Sequence, residues 1–180
     1  KQLQARGYYT ILIDFNSTPP AADVADMHIC ESTLDRHKVL AIAKAWTVDL
    51  VISGCVDQAN VTACYVAEKL KLPAPYSYRT SLRVTNKILM KRGMEKANIP
   101  TAKYQVLTGQ KSVLFDLDQF PKMVKPADSN GSKGVRKVNT QQELEQSVAE
   151  ACSISKIQKA IVEDFNSGAE VSAYFYLKDA

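Results

Sequence analysis

The chain has 180 residues, 46% of them hydrophobic, and a net charge of +4, which is enough apolar material for one medium domain or two small ones. No apolar run approaches the ~18 residues of a membrane span and no basic, apolar leader marks a secretory signal, so the cytoplasm is the expected setting. The cations are dispersed, which argues against nucleic acid, and four cysteines with no CxxC pair beside only His28 and His37 argue against structural zinc.

Residues 1–6 read as the tail of a helix closed by Gly7, implying sequence upstream. Residues 8–14 (YYTILID) read as a buried strand ending in Asp14, followed by a turn-rich stretch over 16–20. His28 and Cys30 alternate as on a strand, where both read as structural. Residues 34–46 carry helical spacing, 49–53 (DLVIS) read as a second buried strand ending at Gly54, and 58–70 read as a helix with Val61, Ala63, Cys64, Val66 and Ala67 on its apolar side. This alternation predicts a parallel sheet with helices on its faces and all strand ends on one rim. Asp14 and Asp57 then stand where substrates bind in open sheets. Both also have plainer readings, Asp57 as the cap of helix 58–70 and Asp14 as a strand terminator.

At Lys71 the composition shifts to a connector with Pro73 and Pro75, followed by a helix over 81–97. Beyond Pro100 strands are expected at 102–107, 122–125, 135–139, 159–165 and 170–177. One helix, 141–151, interrupts them, with Thr140 as N-cap and Glu143 at the capping-box position. The expected organisation is a first domain over 1–75, a helical connector over 76–100 and a small α+β domain over 101–180.

Two stretches carry chemistry. In PKMVKPADSNGSKGVRKV a strand delivers Lys125 and is stopped by Pro126; the loop Ser129, Asn130, Gly131, Ser132, Lys133, Gly134 then offers glycines, hydroxyls, a cation and backbone N–H groups suited to phosphate. It is not a Walker A loop, because a strand rather than a helix follows, so a hairpin is expected. An ordinary exposed turn is the competing reading. In AIVEDFNSGAE a buried strand runs into Glu163 and Asp164, then Phe165, a tight turn at Asn166, and Glu170 opening another strand. A plain β-hairpin with charged flanks competes here.

Taken together, Lys87 in TNKILMKRGMEKANIPTAKY, Lys125 in FPKMVKP, the loop ADSNGSKGV and the segment IVEDFNSGAEVS resemble, in order and spacing, the ATP-grasp superfamily. Its members include biotin carboxylase, D-alanine:D-alanine ligase and the carbamoyl-phosphate synthetase large subunit. The resemblance implies an α/β fold: a Rossmann-like pre-ATP-grasp domain with a parallel sheet, then the first α+β lobe of an ATP-grasp domain. It implies that Lys87 and Lys125 contact ATP phosphates, Lys125 also near the adenine, with the flap over Ser129 to Gly134 closing on the β and γ phosphates. Glu163 would lie at the adenine, main-chain groups of Asp164 and Asn166 would read its edge, Glu170 would bind the ribose, and Phe165 would belong to the same nucleotide-binding set.

The implied cofactors are ATP and Mg2+, and the implied partner is a small carboxylate, activated as an acyl phosphate for attack by an amine. Magnesium ligands and the catalytic residues would lie beyond Ala180, so none is expected within this chain. Oligomeric state stays open, a homodimer included. The alternatives are a non-catalytic nucleotide-binding or regulatory module of the same fold, and an NAD-type oxidoreductase in which Asp14 binds ribose.

Overall fold

A computed structural model describes residues 1–54, 56–108, 119–171 and 173. The chain divides into two units, Lys1–Ala97 and Asn98–Ala180.

In the first unit a short 3-10 turn, Gln4–Arg6, closes on Gly7, whose φ of 84° lets its N–H return to the Gln4 carbonyl. Strand β1 (Ile11–Asp14) pairs in parallel with β2 (Met27–Cys30), Ile11 opposite Met27. Asp35 starts α1 (Arg36–Ala45) by accepting from the amides of His37 and Lys38. Helix α2 (Asp57–Leu70) follows, and Val39, Ala43 and Val66 form a small core with Ile13 against it. Then come α3 (Tyr78–Thr85) and α4 (Lys87–Lys96). The single helix expected over 81–97 is therefore two. Asn86, at φ −101° and ψ 112°, leaves helical space after α3, and its side chain caps α4 by accepting from the Ile88 and Leu89 amides.

Three further expectations for this unit need correction. Residues 49–53 are not a strand: an isolated extended run leaves its backbone groups without a ladder, and here Leu50 is 37% and Ile52 61% exposed. Strand β1 is half-buried rather than buried, as befits one member of a two-stranded sheet. Asp57 is not the cap of α2 but its first residue; Val56 holds the cap position without a side-chain hydrogen bond. An acid in the first turn still complements the helix dipole.

The second unit is a four-stranded antiparallel sheet in the order β3-β6-β4-β5, made from β3 (Tyr104–Thr108), β4 (Lys122–Pro126), β5 (Arg136–Val138) and β6 (Lys159–Asp164). Helix α5 (Gln141–Ile154) lies on one face. Thr140 caps it by accepting from the Glu143 amide at 3.2 Å, while the Glu143 carboxylate reaches back to the Asn139 amide at 2.7 Å, one residue beyond the usual capping-box partner. Because side chains alternate along a strand, Leu107, Val124, Val138, Ala160 and Val162 turn together toward Leu144, Ala151 and Cys152 of α5. Each fully buried Val or Leu in that set contributes about 1.5–3 kcal/mol. The expected strand over 170–177 falls mostly outside the described residues; Glu170 and Val171 are not in a strand. Among the described residues no helix is long and apolar enough to cross a membrane.

Candidate functional site

Strands β4 and β6 pair with Lys122 opposite Asp164, Met123 opposite Glu163 and Lys125 opposite Ile161. Since Val124 and Val162 face α5, Met123, Lys125, Ile161 and Glu163 belong to the other face of the sheet. There Lys125 forms an ion pair with Glu163, whose side chain is 8% exposed against 29% for the lysine. A carboxylate this buried needs a cation, and Lys125 supplies one while keeping part of its side chain accessible. The sequence reading put both residues at one ligand, and the fold brings them together.

Lys122 and Asp164 form a second pair at 2.6 Å on the α5 side, the lysine 5% exposed and the aspartate 49%. The Asp164 amide donates to the Lys103 carbonyl at 3.1 Å and the Phe165 amide to the Pro121 carbonyl at 3.3 Å. Of the Asp164 main-chain groups, the N–H is thus taken by the sheet. The turn that follows is closed by Asn166, whose Oδ1 accepts from the Gly168 amide at 2.9 Å. Glu170 is exposed and opens no strand within the described residues.

The loop between β4 and β5 joins two antiparallel neighbours, so it is the hairpin that the sequence suggests. Gly131 and Ser132 take φ of 58° and 56°, and Gly134 takes 73°. The Ser129 hydroxyl donates to the Lys133 carbonyl at 3.1 Å, and the Lys133 amide to the Asn130 carbonyl at 3.2 Å. In this conformation those donors shape the turn rather than face a ligand. The two glycines differ. A Cβ on Gly131 would meet nothing within 4 Å, whereas one on Gly134 would lie 2.6 Å from Ile154 Cδ1 and 2.8 Å from Pro126 Cγ. Gly134 is needed where the hairpin stem packs on α5.

The remaining predicted residues lie in the first unit. Lys87 is the first residue of α4 and half-buried, at a helix end where a cation opposes the macrodipole; propensity alone does not put it there. Asp14 ends β1, and its carboxylate accepts from the Asn16 amide at 2.8 Å, the local turn that a strand terminator makes. It also lines a cleft of about 700 Å³ between β1, α1, α2 and the 48–53 segment, to which Val56 and Ala59 contribute but Asp57 does not. The two acids expected on one rim are thus not joined in that cleft. Among the described residues no group of three His, Cys, Asp or Glu side chains is placed to hold a metal.

Residues 94–175 match the family model described as D-ala D-ala ligase C-terminus. The structure is similar to the ADP complex of PurK, an N5-carboxyaminoimidazole ribonucleotide synthetase, with a TM-score of 0.70, 20% identity, 91% of this chain and 42% of that one. It is also similar to the L-amino acid ligase of Bacillus licheniformis, with a TM-score of 0.66, 18% identity and coverages of 92% and 40%. For the D-alanine-D-alanine ligase of Helicobacter pylori the values are 0.53, 23%, 61% and 34%. The fold is that of the ATP-grasp ligases. No curated protein matches the chain by sequence, and the chain spans about 34–42% of the length of these three structures.

The ATP-grasp resemblance read from four motifs is therefore borne out, as is the α/β fold class. Sequence reasoning overlooked two lysines that the structure places against the 163–165 segment: Lys122 on Asp164, and Lys137, whose Nζ lies 4.0 Å from the centroid of the Phe165 ring. A signal for Lys122 was present. In KMVKP the two lysines are three apart, an odd spacing that sends them to opposite faces of one strand.

Proposed function

We propose that the chain is the ATP-binding portion of an ATP-grasp ligase that activates a carboxylate as an acyl phosphate for attack by an amine or similar nucleophile. The observation that carries this is the Lys125 and Glu163 pair, on the sheet face away from α5 and within the segment matched by the ligase family model. Lys125 stands one residue before Pro126, where the glycine and serine hairpin leaves β4, and Glu163 one residue before the end of β6. Fold likeness to an ADP complex supports a nucleotide at such a face.

In this reading the Lys125 ammonium keeps Glu163 on one N–H and turns its other donors to phosphate oxygen, balancing charge there. The hairpin 129–134 rearranges so that its amides and hydroxyls face the phosphates, while Glu163 and the 164–166 backbone take the adenine and Glu170 the ribose hydroxyls. Magnesium, when bound, neutralises charge on the transferring phosphoryl group. The acids that would hold it are not assigned to this chain. Lys87 is proposed as a phosphate contact in its own right, tested by its own substitution. A cytoplasmic setting goes with the reading.

Titration calorimetry with ATP and with NAD tests it. ATP is expected to bind and NAD not. Lys125→Ala is expected to weaken ATP by roughly 10- to 100-fold, the range for one charge-assisted contact of about 1.5–3 kcal/mol. Binding of NAD alone would overturn the proposal. Kinship with carbamoyl-phosphate synthetase or biotin carboxylase, as against amino-acid ligases, shows in whether bicarbonate or an amino acid stimulates ATP turnover by the complete protein.

A further inference from the structure

The three residues that lead out of β6 are each held by a lysine: Glu163 by Lys125, Asp164 by Lys122 and Phe165 by Lys137. The third contact differs in reach. Lys122 and Lys125 stand on β4, beside β6, whereas Lys137 stands on β5, the outer arm of the hairpin, with β4 in between. The register explains how it arrives. Lys137 lies opposite Met123 and Met123 opposite Glu163, so the three share one face at one level of the sheet. Phe165, two residues past Glu163, emerges on that same face. Two strand spacings amount to about 10 Å, a gap that a lysine and a phenylalanine bridge from both sides. The ring quadrupole attracts an ammonium lying over it. Since Lys137 is otherwise exposed, this contact is what ties its side chain to the residue that opens the turn after β6.

We propose that Lys137 is a positioning residue, coupling the hairpin to the 163–166 segment through the Phe165 ring. The inference rests on the nucleotide reading above, in which the hairpin takes the phosphate end and the 163–166 segment the adenine end. When two elements grip opposite ends of one ligand, holding them in mutual register beforehand lowers the ordering cost of binding. The effect should then appear for a ligand that spans both elements and vanish for one that reaches only the adenine side. It requires a cation and an aromatic ring together.

The test is calorimetry with ATP and with adenosine on the complete protein. Lys137→Ala is expected to weaken ATP about two- to fivefold, the range an exposed cation–ring contact supports, with adenosine changed less than twofold. Lys137→Arg should restore ATP affinity. In a Phe165→Leu background the Lys137→Ala change should have no further effect on ATP. A Lys137→Ala loss that persists undiminished in that background would make the lysine a direct phosphate ligand and overturn the proposal; so would an unchanged ATP affinity in Lys137→Ala. If the wild type binds neither ligand, the nucleotide reading itself falls. If amide exchange of the second unit in the same five proteins shows that Lys137→Ala lowers ATP affinity only by unfolding that unit, the contact is purely structural and the positioning role ends.

Discussion

Replacing Gly134 with alanine separates a glycine kept for packing from one kept for a ligand. Its φ of 73° costs an L-residue about 1–2 kcal/mol. The added Cβ would also lie 2.6 Å from Ile154 Cδ1 and 2.8 Å from Pro126 Cγ. The two neighbours differ: Ile154 Cδ1 is the tip of a half-buried side chain and can swing aside, whereas Pro126 is a rigid, fully buried ring on β4 that cannot. Overpacking of this kind costs about 1–3 kcal/mol, so the sum is roughly 2–5 kcal/mol. Gly131→Ala is the control, because its φ of 58° carries a similar backbone cost while its Cβ meets nothing within 4 Å. Amide exchange at Val124 and Val162 reads the opening of the second unit alone. At about 1.4 kcal/mol per factor of ten, Gly134→Ala should accelerate it roughly 30-fold or more, and clearly more than Gly131→Ala does. Equal exchange in the two variants would show that the α5 contact does not restrain the hairpin stem. Should the expected difference appear, weaker nucleotide binding by Gly134→Ala reports a displaced hairpin rather than a lost phosphate contact.

Two further outcomes follow from the titratable groups. The Asp26 carboxyl is held below the usual 3.8 mainly by the Thr10 hydroxyl, then by the Thr10 amide and the Gln4 side chain. A depressed carboxyl pKa contributes stability above its unfolded value and loses it as pH falls through the folded value. The gap in stability between wild type and Asp26→Asn should therefore be widest near neutrality and close in acid below 3.8; a gap independent of pH would refute the assignment. Burial pushes the thiols of Cys64 and Cys152 up, while Cys30 is exposed. Alkylation near pH 8 followed by peptide mass spectrometry should label Cys30 in the native protein and the other two only after unfolding.

Local order was legible in the residues themselves. Helical spacing and a cap announced α5, with Thr140 and Glu143 at its start, and small residues between two apolar runs announced the β4 to β5 hairpin. These features depend on neighbours within a few positions, which a linear reading contains. Asn86 was equally available, yet a single helix was expected across it; its capping side chain, rather than the apolar spacing on either side, marks the break. Residues 49–53 show the opposite limit: an apolar, β-branched run has the composition of a strand, but a strand exists only when another backbone lies alongside to complete its hydrogen bonds. The same holds for the site. Order and spacing of motifs pointed to Lys125 and Glu163 as members of one constellation, whereas their pairing, the burial of Lys122 on the other side of β4 and the reach of Lys137 to Phe165 depend on strand order and register. Those are set by contacts between residues far apart in the chain, where the free energy of burying one common face selects among many pairings that local preference leaves equivalent.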